Sequence, residues 1–323
     1  MSGENSKGNT MIKLSTLGRF TPFLAAIILV LFFSVMQDAF LTWANVWNII
    51  RQSSVLLVAS MGVTFVILIG SIDLSVGAIM TLSAVCAITL VPTIGEAGIL
   101  VGLIVGGLCG AFNGLLNATL KLPSFLVTLG SLFIFQSIGL IISGGRPLPW
   151  TTPISSMMAG GVVFGSFPKI GLWAMAVLLI CAFMARYTRF GQYMYAIGDN
   201  ERTTRTSGIS TTRLKIAVFI VAGVISGLAG ILLGIRTFSA SPGMGDPFLL
   251  DTIAAVVLGG TLLTGGVGGP LRTVFGVLTI VILANGMTLL QVDPFFQIGI
   301  RGAVVILAVL ITTKRGRLDQ IVK

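Results

Sequence analysis

Residues 70–77 read Gly70-Ser71-Ile72-Asp73-Leu74-Ser75-Val76-Gly77, and they interrupt an otherwise oily stretch. VLLVASMGVTFVILI (55–69) precedes them and AIMTLSAVCAITLV (78–91) follows, and from Phe40 to Pro92 the only charged side chains are Arg51 and Asp73. Two apolar runs of this length, joined by glycine, serine and one acid, read as two membrane-spanning helices with a break between them. A carboxylate at the bilayer centre costs about 2.5–3.5 kcal/mol on insertion scales. It therefore has to face the bundle interior, lie near an interface or cap a helix. Ser71 or Asp73 stands where it can N-cap the span opening at residues 74–76, and a negative charge suits that helix end. The same stretch is equally placed to line or gate a path across the membrane, and the two roles are compatible.

The rest of the chain extends this reading. Of 323 residues, 55% are hydrophobic and 9% charged, against about a quarter charged in an ordinary soluble domain. Long apolar runs rather than short alternating segments make the fold class all-α, a polytopic helical membrane protein. Ten spans are expected, near 20–38, 53–70, 76–94, 98–118, 124–143, 170–186, 214–235, 252–268, 271–290 and 297–313. The apolar segment starting at Pro22 follows a polar N-terminus and is read as the first span, not as a cleaved leader. FLTWANVWNIIRQ (40–52) suits an interfacial helix or the wet end of the second span. The domain layout is then an N-terminal tail (1–19), one transmembrane domain (20–313) holding a polar loop at 187–215, and a C-terminal tail (314–323).

The net charge of +10 follows from the distribution of basic residues and does not call for nucleic acid. With both termini in the cytoplasm, fifteen of the 20 Lys and Arg residues fall inside, Lys121, Arg186, Arg189, Arg213, Lys215 and Arg272 among them. Only Arg51, Arg146, Lys169, Arg236 and Arg301 fall outside, the bias the positive-inside rule describes. Cys86, Cys109 and Cys181 lie within apolar runs of a chain with no histidine. They read as core residues, and no metal or cofactor is expected.

Glycine recurs at Gly102, Gly106, Gly110 and Gly114, and again at Gly223, Gly227, Gly230 and Gly234. In lipid, small residues on one helix face let backbones approach closely, so both ladders are expected to mark tight helix–helix seams. VILIGSIDLSVGAIMTLSAV (66–85) loosely matches VVLGGTLLTGGVGGPLRTVF (256–275), as one expects of an internal, inverted repeat. The span count puts both glycine-broken stretches on one side, however, which does not fit a simple five-plus-five inversion.

Three loops could do work. In the 187–215 loop, NERTTRTSGI reads as a short helix capped by Asp199 or Asn200, with Glu201 at its positive end and Gly208 stopping it. A basic helix held between two spans suits contact with a peripheral cytoplasmic partner. Outside, GGRPLPWTTPISSMMAGGVVFGSFPK (144–169) and RTFSASPGMGDPFLLD (236–251) could together form a docking face. No GxxxxGK[ST] phosphate loop, acidic or histidine proton relay, or nucleophile–base pair is present. A secondary transporter and a membrane enzyme are accordingly less favoured, and no catalytic residue is assigned.

At MGVTFVILIGSIDLSVG (61–77), LKLPSFLVTLG (120–130), TRFGQYMYAIGDNERTTRTSGI (188–209), GLAGIL (227–232) and DTIAAVVLGGTLLTGGVG (251–268), the sequence resembles the sugar-importing ABC permeases. The likeness is to their ribose, xylose, arabinose and galactofuranose family and covers about residues 45–312. The resemblance implies a multi-pass subunit of the bacterial cytoplasmic membrane. A second permease copy or paralogue would complete the pore, an extracytoplasmic sugar-binding protein would deliver substrate, and a cytoplasmic ATPase would consume the ATP. It also implies that Gly198, Asp199, Asn200, Glu201, Arg202, Arg205 and Gly208 form the ATPase-coupling segment. Gly70, Asp73, Leu74, Ser75 and Gly77 would shape the substrate path or gate, with Gly259, Gly260, Gly265, Gly266 and Gly268 as their second-half counterpart. The chain departs from the family pattern at Gly70-Ser71, Gly198-Asp199-Asn200 and Leu249-Leu250-Asp251, which leaves pentose, hexose, furanose and autoinducer-2 open as substrates.

Overall fold

The computed structural model describes residues 23–150 and 159–321, with side chains described as far as residue 310 apart from residues 305, 308 and 309. The expected N-terminal tail, the first three residues of the first expected span (20–22), residues 151–158 of the long loop and the last two residues lie outside this set. The described part begins with α1 (Phe23–Met36) and a 3-10 turn at Asp38–Leu41. Four helices follow: α2 (Trp43–Leu68), α3 (Val76–Ile94), α4 (Ala97–Thr119) and α5 (Ser124–Ser143). Two small hairpin strands, β2 (Val162–Val163) and β3 (Phe167–Pro168), come after β1 (Leu148–Pro149). Then come α6 (Lys169–Tyr187), α7 (Arg189–Thr206), α8 (Thr211–Thr237), β4 (Ser239–Ala240), α9 (Asp246–Leu258), α10 (Pro270–Leu289) and α11 (Pro294–Ile321).

Seven of the described helices are long and apolar enough to cross a membrane: α2 to α6, α8 and α10. The molecule is thus an all-α membrane protein, and these seven helices fall on seven of the ten expected spans. α1 is a shorter apolar helix. The span expected at 252–268 is corrected: α9 stops at Leu258, and 259–269 is a glycine loop. At the other end of the chain, α11 runs on through the expected tail boundary at 313/314. FLTWANVWNIIRQ is mostly the opening turns of α2 itself, which starts at Trp43.

The glycine ladders lie against each other. A Cβ on Gly106 would come 2.5 Å from the Gly223 carbonyl, and one on Gly114 would come 2.9 Å from Ile216 Cα. A Cβ on Gly110 would fall on the Phe219 carbonyl, and one on Gly102 would come 2.6 Å from the Ser83 carbonyl. A Cβ on Gly227 would meet Ser83 Oγ at 2.9 Å. Helices α3, α4 and α8 therefore close on one another backbone to backbone, held by dispersion where lipid offers no hydrophobic drive. Polar pairs fasten α2 to α10. Asn45 and Asn285 exchange side-chain amide bonds of 3.0 and 2.9 Å, and the hydroxyls of Thr64 and Thr273 sit 2.9 Å apart.

The two long loops do meet. Leu148 pairs with Ala240 and Pro149 with Ser239, and the Trp150 N–H donates to Phe238 O at 2.9 Å. Gly234, the last rung of the second ladder, makes room for the buried Trp150 ring.

Candidate functional site

Helix α2 ends at Leu68 because Ile69 leaves the helix and Gly70 takes a left-handed φ of +72°. Gly70 N–H donates to Ile67 O at 2.9 Å and Ser71 N–H to Val66 O at 3.1 Å, the paired bonds of a Schellman stop, in which glycine adopts positive φ without a Cβ penalty. Helix α9 ends in the same way. Gly260 has φ +85°, its N–H donates to Val257 O at 2.9 Å, and Thr261 N–H donates to Val256 O at 3.2 Å. Residues 66–71 and 256–261 are thus superimposable in their hydrogen-bonding pattern, in the register of the repeat read from the sequence.

The two breaks touch. Gly266 N–H donates to Leu68 O at 3.0 Å, and a Cβ on Gly70 would come 3.1 Å from Thr264 O. Helix α7 lies on this contact. A Cβ on Gly198 would fall on Leu68 O and Gly266 N and come 2.9 Å from Gly266 Cα, while one on Gly266 would come 2.9 Å from Asp199 N. Tyr195 Oη donates to Gly268 O at 3.0 Å. The structure therefore brings together Gly70, Gly198, Gly265 and Gly266 from three segments far apart in sequence, and small size at each is what lets three backbones share one point.

Just past this junction α7 breaks at Asn200 (φ −158°, ψ 101°). Asn200 Oδ1 accepts from Thr203 N–H at 3.0 Å, so Asn200 is the cap of a short second helix over 201–206. Gly208, at φ +83°, closes it, with Gly208 N–H donating to Arg205 O at 3.1 Å. Glu201 in its first turn takes Lys215 Nζ of α8 at 2.6 Å and Arg205 Nη2 at 3.8 Å. Arg202 and Arg205 are exposed.

Asp73 plays a different part from the cap expected. The N-cap of α3 is Ser75, which makes no side-chain cap bond. Asp73 Oδ1 instead accepts from Ser75 N–H at 2.8 Å and Ser75 Oγ at 2.6 Å, an Asx turn that sets the chain's entry into α3. Asn113 Nδ2 of α4 donates to Ser75 Oγ at 2.8 Å. The extended residues ahead of α3 are held by α5: Ile72 N–H donates to Ser124 Oγ and Leu74 N–H to Thr128 Oγ1, each at 3.0 Å. Asp73 is 3% exposed and ties a turn together. Gly77 and Gly259 stand apart from the junction. A Cβ on Gly77 would come 2.5 Å from Gly245 O, and one on Gly259 would come 2.6 Å from Arg272 O. Both are close helix contacts.

Asp73→Ala removes the acceptor of a buried amide and a buried hydroxyl, a loss of about 1–3 kcal/mol. Asparagine retains a carbonyl oxygen for both. The expected outcome is that Asp73→Asn assembles near the parent level while Asp73→Ala falls about tenfold, read by immunoblot of the membrane fraction. Transport lost in Asp73→Asn at normal abundance would assign the charge itself to the transport step.

Sequence reading missed Asn113, Ser124 and Thr128, the polar side chains that receive the break, and Thr81, whose Oγ1 accepts from Gly245 N–H at 3.0 Å. Asn113 carried a signal, as an amide set inside the Gly110–Gly114 rungs. It also missed the ion pair of Asp251 Oδ2 and Arg301 Nη1, 3.4 Å apart between α9 and α11.

A family model described as branched-chain amino acid transport system / permease component matches residues 45–309. The chain is 40% identical over 301 residues to the ribose import permease protein RbsC of Bacillus subtilis (strain 168), covering 91% of this chain and 92% of the relative. The D-allose transport system permease protein AlsC of Escherichia coli (strain K12) is 36% identical, covering 90% and 89% respectively. For the xylose transport system permease protein XylH of the same strain, identity is 32% and coverage 94% of each. No solved structure matches the chain.

Proposed function

The chain belongs to the branched-chain amino acid transport system / permease component family, and on that premise we propose that it is the membrane permease of an ATP-driven importer for a sugar or sugar-like small molecule. Sugars are favoured over amino acids because the similar relatives carry ribose, D-allose and xylose in their names. As a permease component it is a multi-pass membrane transport subunit and not an enzyme. An extracytoplasmic binding protein delivers the substrate. A partner ATPase in the cytoplasm hydrolyses ATP, so this chain needs no cofactor of its own.

The observation that carries the reading is the junction at Gly198. Two broken helices, α2–α3 and α9–α10, end against one backbone point of α7, immediately before the exposed basic helix at 201–206. A push on that helix reaches both breaks at once through contacts without side-chain slack. The Glu201–Lys215 pair joins the same helix to α8, which packs on α4 along the glycine seam.

Two copies, identical or paired with a close relative, complete the path. Asp246 at the start of α9 is exposed and accepts from Gln136 Nε2 of α5 at 3.2 Å. An exposed ionisable group takes a protein or aqueous neighbour in preference to lipid, and a second permease is the neighbour assigned to it here.

Arg202→Glu combined with Arg205→Glu tests the coupling. Reversing both charges at a docking surface places like against like or removes a steering attraction, at a cost of several kcal/mol. In the reconstituted complex, substrate-stimulated ATP hydrolysis and uptake of whichever of ribose, D-allose and xylose the parent complex transports should both fall about tenfold or more. If both are unchanged, the helix at 201–206 is not the coupling contact.

A further inference from the structure

Two cavities open side by side where α4 ends and α5 begins. One, of about 290 Å³, lies between the α4–α5 link, the helix at 201–206 and the first turn of α8. Lys121, Arg205 and Lys215 line it against the single carboxylate of Glu201. The other, of about 250 Å³, runs along the groove between α4 and α5 and is lined by Phe112, Leu116, Pro123, Leu126, Gly130 and Ile134. Leu122 borders both, and Asn117 Nδ2 pins its carbonyl at 2.8 Å.

The charges in the first cavity do not cancel. Glu201 is engaged by Lys215 at 2.6 Å and Arg205 at 3.8 Å, and Lys121 has no ion-pair partner among the described residues. Lys121 also holds φ +55°, a left-handed position after a helix end where glycine is the usual occupant. The second cavity is almost wholly apolar and faces outward, with Phe112, Leu126 and Ile134 all exposed on the bundle surface.

We propose that the two cavities form one site for an anionic phospholipid, the phosphate held by Lys121, Arg205 and Lys215 and an acyl chain laid in the α4–α5 groove. Basic pockets between spanning helices are suited to phospholipid headgroups, and the adjoining groove gives the acyl chain a place that a soluble anion would not use. The bound lipid bridges the α4–α5 link to Arg205 and Lys215, so it steadies the basic helix whose coupling role is proposed above. Occupancy of the site does not depend on that role.

The test uses the purified full chain in phosphatidylcholine nanodiscs, titrated with phosphatidylglycerol and read by native mass spectrometry. Glycerol 3-phosphate and inorganic phosphate serve as soluble competitors. Lys121→Gln should weaken phosphatidylglycerol binding about fivefold, the effect of one basic residue near a membrane surface. Gly130→Leu should weaken it as well by filling the groove, since a Cβ there meets nothing within 4 Å, and recovery of folded protein at the parent's level checks that the larger side chain is accommodated. Neither soluble phosphate should displace the lipid at equal concentration. Unchanged lipid retention in both variants overturns the proposal. So does a response to Lys121→Gln alone with full displacement by glycerol 3-phosphate, which would make the ligand a soluble phosphate ester. The readout is binding, not uptake, so a failure here leaves the transport assignment standing, and a failure of the coupling test leaves this site standing.

Discussion

Gly198→Val is expected to abolish uptake in proteoliposomes, with a loss of about a hundredfold, while Gly299→Ala stays within twofold of the parent. The difference lies in what each new Cβ meets. At Gly299 there is open space, whereas at Gly198 the Cβ would fall between Leu68 O and Gly266 N, the acceptor and donor of the 3.0 Å bond that joins the two breaks. Both atoms are backbone and cannot rotate away. Overpacking costs about 1–3 kcal/mol, and separating a buried N–H from its carbonyl adds about 1–3 kcal/mol. Together these come to about 2–6 kcal/mol, a range that includes the roughly 2.7 kcal/mol of a hundredfold change. Gly198→Ala should show the same effect in smaller degree, because the Cβ alone makes the clash. Uptake by Gly198→Val within twofold of the parent at equal abundance would show that α7 does not transmit motion through this point.

That junction was only half legible in the sequence. Hydropathy locates the helices wherever a span is bounded by polar residues, and 76–94 and 124–143 coincide with α3 and α5 to the residue. It fails at 252–268 because Leu262, Leu263 and Val267 keep the glycine loop apolar on average. The informative signal there is Gly259-Gly260 followed by Thr261, the same helix stop as Ile69-Gly70-Ser71. Matching 66–85 to 256–275 contains that information, but a pairing of letters does not say that the two stops hydrogen-bond to each other. Asp73 was misread for a related reason: an acid two residues before Ser75 serves an Asx turn or an N-cap equally well on spacing alone. The caps on the basic helix were legible, since Asn200, Glu201 and Gly208 are local signals that need no tertiary partner. Gly198 entered only through family resemblance, because nothing in its neighbours reveals which backbones meet there.

The pair Asp251 and Arg301 lies further from sequence reach, its partners fifty positions apart, and it carries the second large effect. Arg301 sits two turns into α11 and Asp251 midway along α9, with side chains 32% and 17% exposed, and Arg301 Nε is buried without a protein partner among the described residues. Removing one member of a fully buried pair strands the other charge at a cost of about 3–5 kcal/mol, reduced here to about 1.5–3 kcal/mol because water reaches about a third of Arg301. Replacing both by apolar side chains is often close to neutral. Asp251→Ala should therefore cut the amount of assembled permease in the membrane tenfold or more. Asp251→Ala combined with Arg301→Leu should recover most of it, although the double variant has lost every hydrogen bond of the pair. Because α9 is the half-helix whose end forms the junction, the double variant also separates anchoring from motion. Recovered abundance with recovered uptake means the pair only anchors α9 against α11. A double variant no more abundant than Asp251→Ala would show that the stranded charge was not the cause of the loss.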